Sequence, residues 1–167
     1  MKKNILITGV AGFIGSNLAE MLLKNNFNVV GIDNLSYGVL EQVPKGVDFH
    51  KKDIRDKDIH KLFNDIDCVF HLAAKNSIID CEENPSETED INVNGTKNIF
   101  EASIRKNIRK VIYAESSAVY EGTQKFPSSE TDANPQSVYA KSKIATNFIA
   151  RDFLKSHGLI STGLRYF

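Results

Sequence analysis

Short apolar runs alternate with stretches whose apolar residues recur at helical spacing. Residues 3–8 read as a first strand, 28–32 as a second that ends at Asp33, and 47–50 as a short third. Residues 67–72 read as a fourth strand running into Ala73 and Ala74, 110–114 as a fifth and 159–166 as a sixth. Between them, 13–25 carries a helical pattern with Leu18, Met21 and Leu22 on one face, and 54–64 carries one through Ile59, Leu62 and Phe63. Pro85 suits a first helical turn, and the pattern from there to 106 is helical although Asn92, Asn94 and Gly95 interrupt it. Residues 137–156 predict a last helix, stopped by His157 and Gly158. Strands alternating with helices predict βαβ units with right-handed crossovers, hence a doubly wound parallel α/β sheet in a single domain spanning residues 1–167. Ligands of such sheets bind at the carboxyl ends of the strands. Gly9, Asp33, Ala73 and Ser116 each stand just past a predicted strand and are expected to converge on one crevice.

The junction of the first strand and first helix reads Thr8-Gly9-Val10-Ala11-Gly12-Phe13-Ile14-Gly15. A helix beginning there presents free backbone N–H groups and its positive dipole end, which favours an anion. Missing side chains let a pyrophosphate come close and let helix and strand pack tightly. The spacing is G-x-x-G-x-x-G, so a glycine-rich turn without a ligand is the alternative.

Composition narrows the classes. Lys+Arg and Asp+Glu balance at 21 each, so no overall field draws the chain to nucleic acid or an anionic membrane. No run approaches the roughly 20 apolar residues of a bilayer span. Met1-Lys2-Lys3-Asn4 leads straight into a strand pattern rather than a signal-peptide core. Cys68 and Cys81 lack metal-site spacing, so no metal is expected and a reduced, cytoplasmic setting is the simplest reading.

Several side chains could carry chemistry. Asp33 can accept hydrogen bonds from both adenosine ribose hydroxyls and would repel a 2′-phosphate, and no Arg or Lys flanks it, which favours NAD over NADP; a turn-forming Asp is the alternative. Asp53-Ile54 could hold an adenine, or Asp53 could cap the next helix. His71 precedes Leu72-Ala73-Ala74, whose small residues leave room for a cofactor; the histidine itself reads as packed rather than catalytic. Tyr139 and Lys143 share a helix face, where the ammonium could lower the phenol pKa from about 10 and make it a general base. A surface Tyr/Lys pair is the alternative, and Ser116 could hold a substrate hydroxyl or serve as a turn or cap.

Together, Thr8-Gly9-x-x-Gly12-Phe13-Ile14-Gly15, Asp33-Asn34-Leu35, Asp53-Ile54, His71-Leu72-Ala73-Ala74, Asn92-Val93-Asn94-Gly95-Thr96, Ser116-x-x-Val119-Tyr120, Tyr139-x-x-x-Lys143 and Leu164-Arg165-Tyr166-Phe167 resemble the extended short-chain dehydrogenase/reductase superfamily. Within it the chain is most similar to NAD-dependent nucleotide-sugar epimerases and dehydratases. The resemblance implies a Rossmann fold and an NAD site drawn from Gly9, Gly12, Phe13, Ile14, Gly15, Asp33, Asn34, Asp53, Ile54, Leu72, Ala73, Ala74, Asn92, Tyr139, Lys143 and Phe167. It implies that Tyr139 takes the proton of a sugar 4-hydroxyl as hydride leaves C4 for the nicotinamide, that Ser116 holds that oxygen, and that Lys143 binds the nicotinamide ribose and lowers the tyrosine pKa.

Relatives that eliminate water usually carry Asp-Glu where this chain has Ser117-Ala118, which points to 4-epimerase chemistry on a UDP-sugar. A 4,6-dehydratase or reductase and a non-catalytic NAD-binding module are the alternatives. Three positions depart from the family pattern: Glu115 beside Ser116, Glu121 after Val119-Tyr120, and Ile91 where some epimerases have an asparagine. Family enzymes continue beyond the sixth strand into a nucleotide-sugar lobe, so the resemblance implies NAD binding with weak or absent turnover for these 167 residues. It also implies a homodimer through helices near 94–106 and 137–153, using Ile99, Phe100, Ile144 and Phe148; burial of those residues against the chain's own sheet is the alternative.

Overall fold

A computed structural model describes residues 2–167. Its sheet has six parallel strands, β1 (Asn4–Thr8), β2 (Asn28–Asp33), β3 (Asp48–Lys51), β4 (Cys68–His71), β5 (Lys110–Ser116) and β6 (Ile160–Tyr166), in the order β3-β2-β1-β4-β5-β6. This is the doubly wound arrangement expected from the apolar pattern. The order reverses between β1 and β4, which opens a crevice at the carboxyl edge of those strands. β1 is central: Leu6 stands opposite both Val30 and Val69. Buried on both faces, it reads as an unbroken apolar run, Ile5-Leu6-Ile7.

The two faces are covered by different helices. Ile5 and Ile7 pack with Ala19 and Leu22 of α1 (Phe13–Lys24), while Leu6 and Ile32 belong to a larger core on the opposite face. That core holds Ile99, Phe100 and Ala102 of α4 (Gly95–Arg105) and Ala150 and Phe153 of α5 (Val138–His157). The buried residues of α1 are Gly15, Ser16, Ala19 and Leu22; Met21, expected on the core face, is exposed.

The sequence pattern over 54–64 yields only a 3₁₀ turn, Ile59–Phe63. Side chains compete with the helix there: Asp53 accepts from the Arg55 N–H at 2.9 Å, and Asp56 accepts from the Asp53 N–H at 3.1 Å. Ile59 and Phe63 still reach the core, so the spacing marked burial correctly and the element wrongly. The long pattern from Pro85 divides into α3 (Pro85–Glu89), a π-helical turn (Asp90–Asn94) and α4. A short helix, α2 (Ile78–Glu83), carries too little periodicity to be read, with only Cys81 buried.

Phe100 is fully buried and meets Tyr113 and Phe153 edge-on, with ring centroids at 5.9 and 5.5 Å. Phe100→Ala is expected to destabilise the chain by about 3–5 kcal/mol, and Phe126→Ala, at an exposed position, by under about 0.5 kcal/mol, as measured by urea unfolding.

Candidate active site

The three glycines at the first turn have separate physical reasons. Gly9 has φ of 75°, and a Cβ there would lie 2.8 Å from the Ala73 nitrogen. A Cβ on Gly15 would lie 2.1 Å from the Gly9 oxygen, so α1 can approach the turn only without a side chain. Gly12 differs: its Cβ would meet only the Gly9 oxygen, at 3.4 Å. Packing leaves Gly12 room for a side chain, and it lies on the crevice wall as the uncapped N-cap of α1. The first-turn N–H groups of α1 have no capping side chain, which makes this a cradle for an anion.

A crevice of about 630 Å³ opens at this edge. It brings together Gly9, Gly12, Phe13, Ile14, Gly15, Asp33, Asn34, Asp53, Ile54, Leu72, Ala73 and Ala74, all expected from sequence. Asp33 accepts from the Ala11 N–H at 3.0 Å and the Leu35 N–H at 2.9 Å. Those bonds aim the carboxylate and leave lone pairs for a vicinal diol. Gly38 folds over it, where a Cβ would come within 2.9 Å of Asp33 Oδ1. Lys52 and Arg55 also line the crevice, but Lys52 pairs with Asp58 at 3.0 Å and Arg55 with Asp53 and Asp90 at 2.9 Å. Neither cation is left to attract a 2′-phosphate. A second hollow of about 780 Å³ lies between α1 and residues 41–45 and shares only Phe13 with the crevice.

Four expected cofactor residues, Asn92, Tyr139, Lys143 and Phe167, lie outside this lining, and Asp53 lies within it already engaged. The Asp53 carboxylate already takes bonds from the Arg55 N–H, Nε and NH2 and from Asn34 Nδ2, each at 2.9 Å. Its acceptor sites are filled, so an adenine amine could bond it only by replacing a partner. Asn92 is buried and off the crevice: its Oδ1 accepts from the Lys75 N–H at 2.8 Å, and its Nδ2 donates to Lys75 O and Ser142 Oγ, each at 2.9 Å. Ile91 lines the crevice instead. Phe167 is exposed and stacks on Tyr120, centroids 6.3 Å apart.

Lys75 is a crevice residue the sequence reading missed. Its ammonium is buried and pairs with Asp80 at 3.1 Å and with Glu87, while Tyr37 on the far side donates to Asp80. The signal was present: a cation two residues beyond Ala73 must stand near the crevice mouth.

Ser116, Tyr139 and Lys143 assemble between β5 and α5. Three residues at intervals of four run along one face of α5 and meet three neighbouring residues at the end of β5. Tyr139 faces Ser116, Lys143 Nζ donates to the Ala114 carbonyl at 3.2 Å, and Asn147 Nδ2 donates to Glu115 Oε1 at 2.8 Å. Burial raises the Tyr139 pKa above its ordinary value, and the Ser116 hydroxyl offsets only part of that rise. The lowered phenol pKa expected from Lys143 is therefore not found: Nζ sits over the ring, 5.8 Å from its centroid, and bonds a carbonyl instead. Burial also pulls the Lys143 ammonium down to about 8.

Two departures from the family pattern have structural explanations. Glu115 is buried and accepts from Asn147, from Tyr113 OH at 3.0 Å and from Arg165 Nε at 2.8 Å. Burial pushes its carboxyl up, yet those bonds outweigh it and hold the group below its ordinary range. It therefore serves the β5–α5–β6 contact. Glu121 accepts from the Ser137 N–H at 2.9 Å and from Ser137 Oγ at 2.8 Å, and so holds Ser137, whose Oγ accepts from the Ala140 N–H and caps the helix that carries Tyr139.

Fold and site define a dinucleotide-binding α/β domain with a Ser-Tyr-Lys constellation beside the cofactor crevice. The comparisons agree. The NAD dependent epimerase/dehydratase family matches residues 5–167, and the chain belongs to that family. A putative UDP-glucose 4-epimerase of Methanocaldococcus jannaschii is 37% identical over 97% of this chain and 54% of its own length. The crystal structure of the UDP-glucose 4-epimerase of Thermotoga maritima with UDP-glucose superimposes with a TM-score of 0.94 at 34% identity, covering 98% of this chain and 55% of that one. The Thermus thermophilus UDP-glucose 4-epimerase in complex with NAD gives 0.91 at 35% identity, covering 98% and 54%. The chain thus spans about half the length of the relatives it matches. The family is one of NAD-dependent enzymes, and the crevice fits that cofactor at the Gly12 cradle and the Asp33 carboxylate.

Because folding lowers the Lys143 pKa, the unfolded chain holds that proton more tightly. Stability is expected to rise as pH climbs from about 8 towards 10.5. Lys143→Met should remove that rise and stabilise the chain at pH 7 by about 1–3 kcal/mol, as measured by urea unfolding at pH 7 and pH 10.

Proposed function

We infer that the chain is the cofactor-binding portion of an NAD-dependent 4-epimerase acting on a UDP-sugar through a 4-keto intermediate. The observation that carries this reading is the placement of Tyr139 against Ser116, with Lys143 one helical turn on, at the carboxyl edge that holds the crevice. Bound NAD would supply reversible hydride acceptance at the sugar carbon. The chain's own groups handle the proton. Ser116 orients the sugar 4-hydroxyl, Tyr139 takes its proton, and Lys143 favours the phenolate once its ammonium leaves the Ala114 carbonyl. Ser117-Ala118 supply no acid for elimination of water, which favours epimerisation over 4,6-dehydration.

UDP-glucose and NAD are the ligands named for the solved relatives, and about half the length of those relatives lies outside this chain's match. We therefore assign the remaining nucleotide-sugar contacts to a second lobe and expect these 167 residues alone to turn over weakly. Neither an interaction with nucleic acid nor one with a membrane belongs to this reading. Two unpaired cysteines suit a reducing cytoplasm, and no described helix is long and apolar enough to cross a membrane.

The test is calorimetric titration with NAD and NADP, followed by incubation with UDP-glucose or UDP-GlcNAc. NAD is expected to bind at least about tenfold more tightly than NADP, in line with the lone Asp33 carboxylate. Gly12→Ala should leave the fold intact and weaken NAD binding, whereas Gly15→Ala should unfold the turn. Tyr139→Phe should abolish whatever epimerisation the chain shows while NAD binding persists. Comparable affinity for NAD and NADP, or activity that survives Tyr139→Phe, would overturn the reading; NAD binding with no turnover at all would favour the non-catalytic module.

A homodimer is also part of this reading, with a corrected surface. Ile99 and Phe100 are fully buried in the chain's own core and cannot serve a partner. Phe148, exposed on α5, and the half-buried Ile144 remain. Sedimentation velocity is expected to show a dimer that Phe148→Asp converts to monomer; a monomeric wild-type chain at high concentration would exclude it.

A further inference from the structure

Five buried polar side chains link the glycine turn to the helix of Tyr139. Thr8, the residue before Gly9, places its Oγ1 2.7 Å from His71 Nδ1. His71 Nε2 lies 2.9 Å from Thr96 Oγ1, and Thr96 Oγ1 lies 2.6 Å from the Asn92 carbonyl oxygen. Asn92 Nδ2 donates to Ser142 Oγ at 2.9 Å, and Ser142 Oγ donates to the Tyr139 carbonyl at 2.7 Å. Every member is at least nine-tenths buried, so each bond must find its partner within the protein rather than in water.

Counting protons fixes the direction of the whole path. A carbonyl oxygen only accepts, so the single Thr96 hydroxyl proton goes to Asn92 O. Thr96 Oγ1 must then accept from His71, which requires a proton on Nε2. At the other end, Thr8 Oγ1 accepts from the Leu72 and Ala73 N–H groups, each at 3.2 Å, and keeps its own proton to donate. His71 Nδ1 must therefore be bare. The Asn92 amide is fixed in the same way, because the Lys75 N–H can only donate and so identifies Oδ1. A doubly protonated ring would set Nδ1–H against a hydroxyl already accepting twice, with the Lys143 ammonium as the nearby charge.

We propose that His71, held as the neutral Nε2–H tautomer between Thr8 and Thr96, is a positioning residue that fixes the cofactor turn relative to the Tyr139 helix. The path touches both ends of the site: Thr8 sets Leu72 and Ala73, on which Gly9 rests, and Ser142 holds the backbone of Tyr139. It explains why a histidine and two threonines stand where apolar residues would pack. The functional half of the proposal rests on the NAD reading above; the tautomer does not.

The test uses the full chain labelled with nitrogen-15. Long-range proton–nitrogen correlation at pH 7 is expected to show His71 protonated at Nε2 and bare at Nδ1; the opposite tautomer, or a doubly protonated ring, would overturn the proposal. Thr96→Val removes the acceptor for Nε2–H and is expected to weaken NAD binding by about tenfold in the folded protein, with Thr96→Ser restoring it. A folded Thr96→Val chain with unchanged NAD affinity would overturn the positioning role. Should that variant not fold, the wild-type tautomer decides. A wild-type chain that fails to bind NAD would overturn the proposed function instead, since the tautomer is read without cofactor.

Discussion

Backbone contact at the end of β1 is the constraint on which this molecule depends. Gly9 rests on Ala73 and Gly15 rests on Gly9, with distances that leave no room for a Cβ at either residue. The first contact brings the ends of β1 and β4 together at the point where strand order reverses. The second seats α1 against that turn and aims its N-terminal N–H groups along the crevice. Gly12, which packing does not require, lines the crevice itself. Asp33 is tied to the same turn through the Ala11 N–H, so its carboxylate and the N-terminus of α1 are held as one unit.

The strands were legible because a parallel sheet covered on both faces demands continuous apolar runs, and Ile5-Leu6-Ile7 or Val69-Phe70 can serve little else. Helices were less so. Residues 54–64 have the spacing of a helix, but Asp53 and Asp56 bind backbone N–H groups and divert the chain into turns, a competition that periodicity does not register. α2 was invisible because five of its six residues are not buried and it borrows its stability from neighbours. The interruption noted at Asn92, Asn94 and Gly95 was real, and it is a π turn within a continuous helix. The extra residue turns Asn92 inward and lets Gly95 pass over Ile54, where a Cβ would lie 2.6 Å from Cδ1.

The site was legible in proportion to how local its signals were. The glycine turn, Asp33 and Ala73-Ala74 sit where strand ends must place them. Asn92 was assigned by resemblance alone, and geometry puts it in the interior. The place of Lys75 near the crevice follows from Ala73, but its pairing depends on Asp80 and Glu87, which sequence does not show to be neighbours.

Two buried charges beside β5 show how stability and chemistry divide within one contact. Glu115 and Lys143 are each almost fully inaccessible; Glu115 of β5 faces α5, and Lys143 of α5 faces β5. Glu115 has bonds from Asn147, Tyr113 and Arg165, enough to keep it ionised against burial. A charge so completely partnered fixes β5, α5 and β6 and has nothing left to offer a ligand. Lys143 has one carbonyl, and burial weakens its hold on its proton. Burying an ammonium without a carboxylate partner is costly, and the fold holds this one a helical turn from Tyr139. Incomplete partnering thus separates a group still free to exchange its partner from one committed to structure, although both are buried.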